Sequence, residues 1–228
     1  LFGRETQIPD AVGFIFTVLV VLIVVNSVNM SDGIDGNAAG HVMIALFLIG
    51  FAQYLYVGEV RRPEWLSALT VSIFLFWMVN LSFMPIKKVF MGDAGSIPLG
   101  FVIAWLCIDF SQGPGRSLHP VMALWTLVVP IFDVIGVSVV RLMSGRSPFL
   151  GDRLHIHHLL PQLLGINDRA TLGLLLFLNL ILGVVGIFIA NLYVEVSLLI
   201  YIALLCISVI LHIYAGSSVQ DRLAHDDR

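Results

Sequence analysis

Residues 11–37 read AVGFIFTVLVVLIVVNSVNMSDGIDGN, an apolar run that passes directly into two carboxylates interleaved with glycines. A helix of about 20 apolar residues crosses a bilayer core of about 30 Å, so the first part of this stretch predicts a membrane span and the second a polar loop at its end. The whole chain shares the character of that run. Of its 228 residues 58% are hydrophobic and only 12% charged, with a mean hydropathy of +0.97, against about 45–50% apolar residues in soluble domains. A soluble globule is excluded. The formal net charge of −3 gives no general attraction to nucleic acid, which removes that class of partner.

Working outward, seven stretches are long and apolar enough, or nearly so, to cross a membrane: Ala11 to Val28, Ala38 to Val57, Trp65 to Met84, Ile97 to Phe110, Val121 to Val140, Thr171 to Ala190 and Val194 to Tyr214. The expected fold is all-α, a polytopic transmembrane bundle of about seven spans forming a single membrane domain over residues 1–228. Trp65, Trp105, Trp125 and Tyr193 fall near span ends, where interfacial aromatics are expected, though each could equally be an ordinary packing aromatic. Cys107 and Cys206 stand alone in apolar runs and read as packing residues. The opening LFGRETQIPD starts on Leu1 and lacks the pattern of a signal peptide; it reads as a loop entered midway, as in a piece of a longer membrane protein.

Two spans separate residues 29–37 from 85–96, and two more lead to 141–169, so all three polar loops are expected on one face. That face holds Lys87, Lys88, Arg141, Arg146, Arg153, Arg169, Arg222 and Arg228, whereas Arg4, Arg61, Arg62 and Arg116 fall on the other. The excess of positive charge predicts that the three loops are cytoplasmic.

The first loop offers Asp32 and Asp35 at a spacing that aims both the same way if the turn is helical, with Gly33 and Gly36 allowing a sharp bend and a close approach. Such carboxylates suit a divalent cation, or they cap a helix start. The second, Lys87-Lys88-Val89-Phe90-Met91-Gly92-Asp93-Ala94-Gly95-Ser96, sets a basic pair before one carboxylate at a span entrance. Mg²⁺ takes one or two carboxylates plus substrate phosphate oxygens, and helix N-termini favour anions; the plain alternative is a topology signal and a helix cap. The third, Arg146-Ser147-Pro148-Phe149-Leu150-Gly151-Asp152-Arg153-Leu154-His155-Ile156-His157-His158, concentrates histidine and arginine donors suited to phosphate or sugar oxygens. Zinc is a second reading, since imidazole is a good ligand, although the spacing is not that of a zinc-protease helix; the plain alternative is a solvated loop. Asp133 lies inside the fifth span, three residues after Pro130, where a carboxylate needs a partner: either the mouth of the polar site or a carbonyl freed by the proline. Asp109 and His119 read as loop residues of the opposite face.

Taken in order, NSVNMSDGIDGNAAG, KVFMGDAGSIPLGF and SPFLGDRLHIHHLL resemble the polyprenyl-phosphate N-acetylhexosamine-1-phosphate transferases, the glycosyltransferase 4 family, and look most like its undecaprenyl-phosphate GlcNAc-1-phosphate branch. The resemblance implies a multi-pass enzyme of the bacterial inner membrane, active on the cytoplasmic face. There a polyprenyl phosphate attacks the β-phosphorus of a UDP-sugar, releases UMP and starts a cell-surface polysaccharide such as O-antigen. It implies Mg²⁺, with Mn²⁺ as an alternative, and allows a homodimer. Position by position, Asp93 matches the family's magnesium aspartate, Asp32 and Asp35 its nucleotide-site or metal-site carboxylates, His155, His157 and His158 its histidine motif, and Asn26 and Asn29 its asparagines. Lys88 and Arg153 are added here as diphosphate contacts.

Two departures stand out. Family members carry an adjacent aspartate pair on an earlier loop, whereas the Asp-Asp of this chain, Asp226-Asp227, lies in the tail; on its own the chain is expected to turn over weakly or not at all. Ser31 and Asn37 replace apolar residues usual in the first motif and are expected to loosen its packing. The competing reading is a non-catalytic membrane protein, or a cation carrier lined by Asp32, Asp93 and Asp133.

Overall fold

The computed structural model describes residues 9–113, 115–147 and 154–226, and among them helix is the only regular secondary structure. In chain order the elements are α1 (Asp10–Met30), α2 (Asn37–Val57), α3 (Pro63–Asn80), α4 (Gly92–Ser111), α5 (Pro120–Leu124), a 3₁₀ turn (Trp125–Leu127), α6 (Val128–Met143), α7 (Ile156–Leu164), α8 (Asp168–Leu192) and α9 (Val194–Asp226). Six segments have the length and apolarity of spans: Asp10–Met30, Asn37–Val57, Gly92–Ser111, Pro120–Met143, Asp168–Leu192 and Val194–Ala215. The chain is a multi-pass membrane protein.

The third expected span is the one outside that set. Its helix, α3, has 18 residues and carries Pro63, Glu64 and Asn80 at its ends, which dilute an apolar centre. It still runs from one end of the bundle to the other. Near its start, Arg62 pairs with Asp109 at the end of α4 (3.4 Å); at its finish, Asn80 Oδ1 accepts from Gly36 N ahead of α2 (2.6 Å). At 1.5 Å per residue α3 is about 27 Å long, so it returns the chain to the face that α2 left and the alternation expected from the spans holds.

Helix α4 begins five residues earlier than Ile97, taking Gly92 to Ser96 into its first turns. Asp109 accordingly lies in its last turn rather than in a loop, while His119 caps α5 by accepting from Val121 N (3.2 Å). Gly100 sets the crossing of α1 and α4: a Cβ there would meet the Val25 backbone at 2.8 Å, so the two helices touch through backbone.

The fifth span is broken by the 3₁₀ turn, and the break follows from Pro130. A proline cannot donate to the carbonyl four residues earlier, here Thr126. Asn179, fully buried on α8, fills the gap: its Nδ2 donates to Thr126 O (3.2 Å) and its Oδ1 accepts from Val129 N (3.0 Å). The proline-freed carbonyl is thus served by Asn179 and not by Asp133. Trp125 at the break is buried, donates from Nε1 to Ser197 Oγ (2.9 Å) and lies against Gly186. It is a core residue and not an interfacial anchor, whereas Trp65, Trp105 and Tyr193 are exposed on the bundle surface.

Candidate active site

The close crossing at Gly100 brings the end of α1 beside the start of α4. Asn29 Oδ1 there accepts the Ser96 hydroxyl at 2.6 Å, and the Asp32 carboxylate accepts from Gly92 N at 3.0 Å. Three residues on, Asp35 forms an ion pair with Lys88. Both carboxylates of the 31–36 turn therefore reach the same segment, 88–92, and Asp93 follows it, exposed in the first turn of α4. Asn26 sits one turn back in α1, its amide bonded to Leu22 O at 2.7 Å. Both asparagines belong to the helix.

The carboxylate turn is clamped from α3. Gly36 donates its N–H to Asn80 and accepts the Trp77 indole N–H on its carbonyl (2.9 Å), and Asn80 Nδ2 also donates to Val89 O (2.8 Å). Gly36 has φ +77°, and a Cβ on it would run into Trp77 and Leu81; no other residue serves there. Ser31 and Asn37 both bond the backbone of this turn. The Ser31 hydroxyl donates to Val28 O (2.8 Å), and Asn37 Nδ2 donates across the turn to Ser31 O (2.9 Å).

Burial holds the Asp32 carboxyl above the usual carboxylate range; the Gly92 N–H opposes that shift, and the like charges of Asp35 and Asp93 add to it. Three carboxylates share one corner of the protein, and Lys88 neutralises one of them.

The histidine motif arrives from the other side. His157, on the first turn of α7, lies so close to Gly33 that a Cβ on Gly33 would collide with its Nε2. Burial, with His158 beside it, pushes His157 down to about 4. His155 stacks on His157 with ring centroids 5.6 Å apart, and His158 tilts against it at 4.2 Å. Arg153 lies outside the described residues, as do the rest of 148–153.

Asp133 reaches this third segment. Its Oδ1 accepts from Ile156 N (2.7 Å) and lies 3.1 Å from His212 Nε2, and its Oδ2 lies 2.8 Å from His155 Nδ1. A carboxylate in a span costs about 2.5–3.5 kcal/mol on insertion scales, and bonds to a charged group contribute about 1.5–3 kcal/mol each, so three of them outweigh that cost. The sequence reading missed His212, Asn80 and Arg141. The signal for the first two was present, a lone polar residue in or at the end of an apolar run, and Arg141 was counted only as a loop charge although it is fully buried.

Residues 1–111 match the family model described as glycosyl transferase family 4. The chain is 33% identical over 188 residues to the undecaprenyl-phosphate alpha-N-acetylglucosaminyl 1-phosphate transferase of Escherichia coli (strain K12), covering 82% of this chain and 51% of that protein. To the proteins of the same name from Salmonella typhi and Haemophilus influenzae it is 35% and 38% identical, over 82% and 78% of this chain and 51% and 50% of theirs. The chain spans about half the length of the curated relatives it matches. No solved structure matches it. With its ordered motifs drawn together at one end of a helical membrane bundle, the chain belongs to glycosyl transferase family 4.

Proposed function

We propose that this chain carries the donor half of a polyprenyl-phosphate sugar-1-phosphate transferase. It binds a UDP-sugar, GlcNAc by preference, and passes the sugar-1-phosphate to undecaprenyl phosphate with release of UMP. The reaction is placed at the cytoplasmic face of a bacterial inner membrane, where it starts a surface polysaccharide. The observation that carries the reading is the meeting of Asp32 and Asp35, the 88–93 segment and His157 at one end of the bundle, from segments more than 50 residues apart in sequence.

Two anions must approach in such a reaction, and the site has groups suited to that. Lys88 and the N-terminus of α4 attract a diphosphate. Asp93 and Asp32 supply hard oxygen ligands, and the crowding of Asp32 by Asp35 and Asp93 is what a divalent cation relieves. Among the described residues no three His, Cys, Asp or Glu groups are arranged to hold an ion unaided. Mg²⁺ takes one or two carboxylates and completes its shell with phosphate oxygens and water. When bound, the ion neutralises charge on the diphosphate and the departing nucleotide. The carrier reading is weakened because Asp133 is committed to donors on α7 and α9.

The test is UMP release from UDP-GlcNAc with undecaprenyl phosphate and Mg²⁺ in lipid nanodiscs, using the 228-residue chain and a form extended to the full length of its relatives. Release by either form, lost in Asp93→Asn, supports the reading. Silence from both well-folded forms with several UDP-sugars overturns it.

A further inference from the structure

Behind the carboxylate turn the bundle holds a second polar assembly, built on Asp133. The His155 ring stands between two groups of fixed hydrogen-bonding sense. Its Nδ1 is 2.8 Å from the Asp133 carboxylate, and its Nε2 is 3.4 Å from Nη2 of the buried Arg141. A guanidinium only donates and a carboxylate only accepts. The neutral tautomer with its proton on Nδ1 satisfies both, and it leaves neither ring nitrogen for a ligand.

The same carboxylate takes the first N–H of α7 through Ile156, at a helix start that has no side-chain cap of its own. On its other flank it meets His212, whose ring lies against Gly136 where a Cβ would collide with it. Asp133 thereby ties α6, α7 and α9 together at the root of the histidine motif. His157, two residues further on and stacked on His155, is the ring that reaches Gly33 and the carboxylate turn.

We infer that the histidines divide their labour: His155 is a positioning residue, locked as the Nδ1–H tautomer between Asp133 and Arg141, and His157 is the one presented to the substrate anion. The role given to His157 rests on the proposed nucleotide site; the tautomer of His155 does not.

Asp133→Asn tests the lock. The amide oxygen replaces Oδ1, where Ile156 and His212 donate, and the amide NH₂ then faces His155 Nδ1. A donor at that place forces the ring proton to Nε2, opposite Arg141. Nitrogen-15 NMR of histidine-labelled full chain in nanodiscs reads the tautomer directly, with His155→Asn assigning the signal. The expected result is a protonated Nδ1 in the wild type and a protonated Nε2 in Asp133→Asn. Addition of UMP with Mg²⁺ is expected to shift the His157 resonances and leave the His155 tautomer unchanged. A wild-type His155 protonated on Nε2, an unchanged tautomer in Asp133→Asn, or a His155 response to UMP as large as that of His157 each overturns the inference. The wild-type spectrum decides the lock even if the variant fails to fold. Silence of every histidine toward UMP beside a correct tautomer would count against the nucleotide site alone.

Discussion

Lys88 closes an ion pair onto Asp35 across 53 residues of chain, and it is this contact that ties the basic pair before α4 to the carboxylate turn after α1. Both side chains are partly exposed, about a third for Lys88 and nearly half for Asp35, and exposed pairs add little to stability, with a median near 0–1 kcal/mol. Lys88→Gln is therefore expected to melt within about 2 °C of the wild type, while UMP release falls by roughly 10- to 100-fold through the lost charge on the diphosphate. Melting curves and initial rates on the same preparation check both parts.

Gly33 offers the opposite case, in which a single methyl group is decisive. Alanine favours helix over glycine, yet the Cβ of Gly33→Ala would collide with the Nε2 edge of the His157 ring. Destabilisation of about 1–3 kcal/mol is expected from this overpacking, and His157→Ala in the same chain should recover most of it. Denaturation of the two single variants and the double variant measures the coupling.

Asp32 sits in a fold that disfavours its charge, through burial and through Asp35 and Asp93. Asp32→Asn keeps an oxygen for Gly92 N–H and removes the repulsion. The variant is expected to melt higher than the wild type in metal-free buffer at pH 7, and to lose at least about 100-fold in transfer rate. A lower melting temperature with unchanged rate would contradict both halves.

Burial of neutral His157 makes stability depend on pH in a defined window. Its folded value is near 4 against an ordinary 6.5, so between those limits the unfolded chain binds the extra proton. The contribution is intact above about 6.5 and is lost as pH falls toward 4. At pH 5 the loss is about 2 kcal/mol. His157→Asn should flatten that part of the stability profile between pH 7 and 5, as followed by thermal unfolding in nanodiscs.

Asn179 patches the backbone break that Pro130 creates. Asn179→Leu leaves Thr126 O and Val129 N without their partners in an apolar core, at about 1–3 kcal/mol for each buried group. Pro130→Ala, by restoring an N–H for Thr126 O, is expected to return part of that stability. A double-mutant cycle on melting temperature reads the interaction.

Much of this was legible in the sequence because the bilayer imposes a length on every apolar run. The six segments of span length, the return of the chain through Pro63–Asn80 and the gathering of three polar loops at one end follow from that constraint and from parity. What the sequence hid was pairing. Nothing local says that Asn80 clamps Gly36, that Asn179 answers Pro130, or that Asp133 belongs to His155 and His212, since each pair is set by how helices rotate about their axes. Trp125 stood open between anchor and packing residue for the same reason: an aromatic near a span end faces lipid headgroups in one rotation and the core in another. For Ser31 and Asn37, residue type suggested poor packing, whereas the short turn lets both side chains bond the backbone they flank.

The Asp133 assembly also sets a timetable for biosynthesis. The carboxylate leaves the ribosome 22 residues ahead of His155 and 79 residues ahead of His212. At about 5–20 residues per second, the last partner follows after some 4–16 s. Until residue 155 emerges, the carboxylate has no answering donor in the lipid, and its span must wait beside water or the insertion machinery. His155 and Ile156 then supply the first donors, and His212 on α9 adds the last, completing the set that lets the nascent span settle into the bilayer.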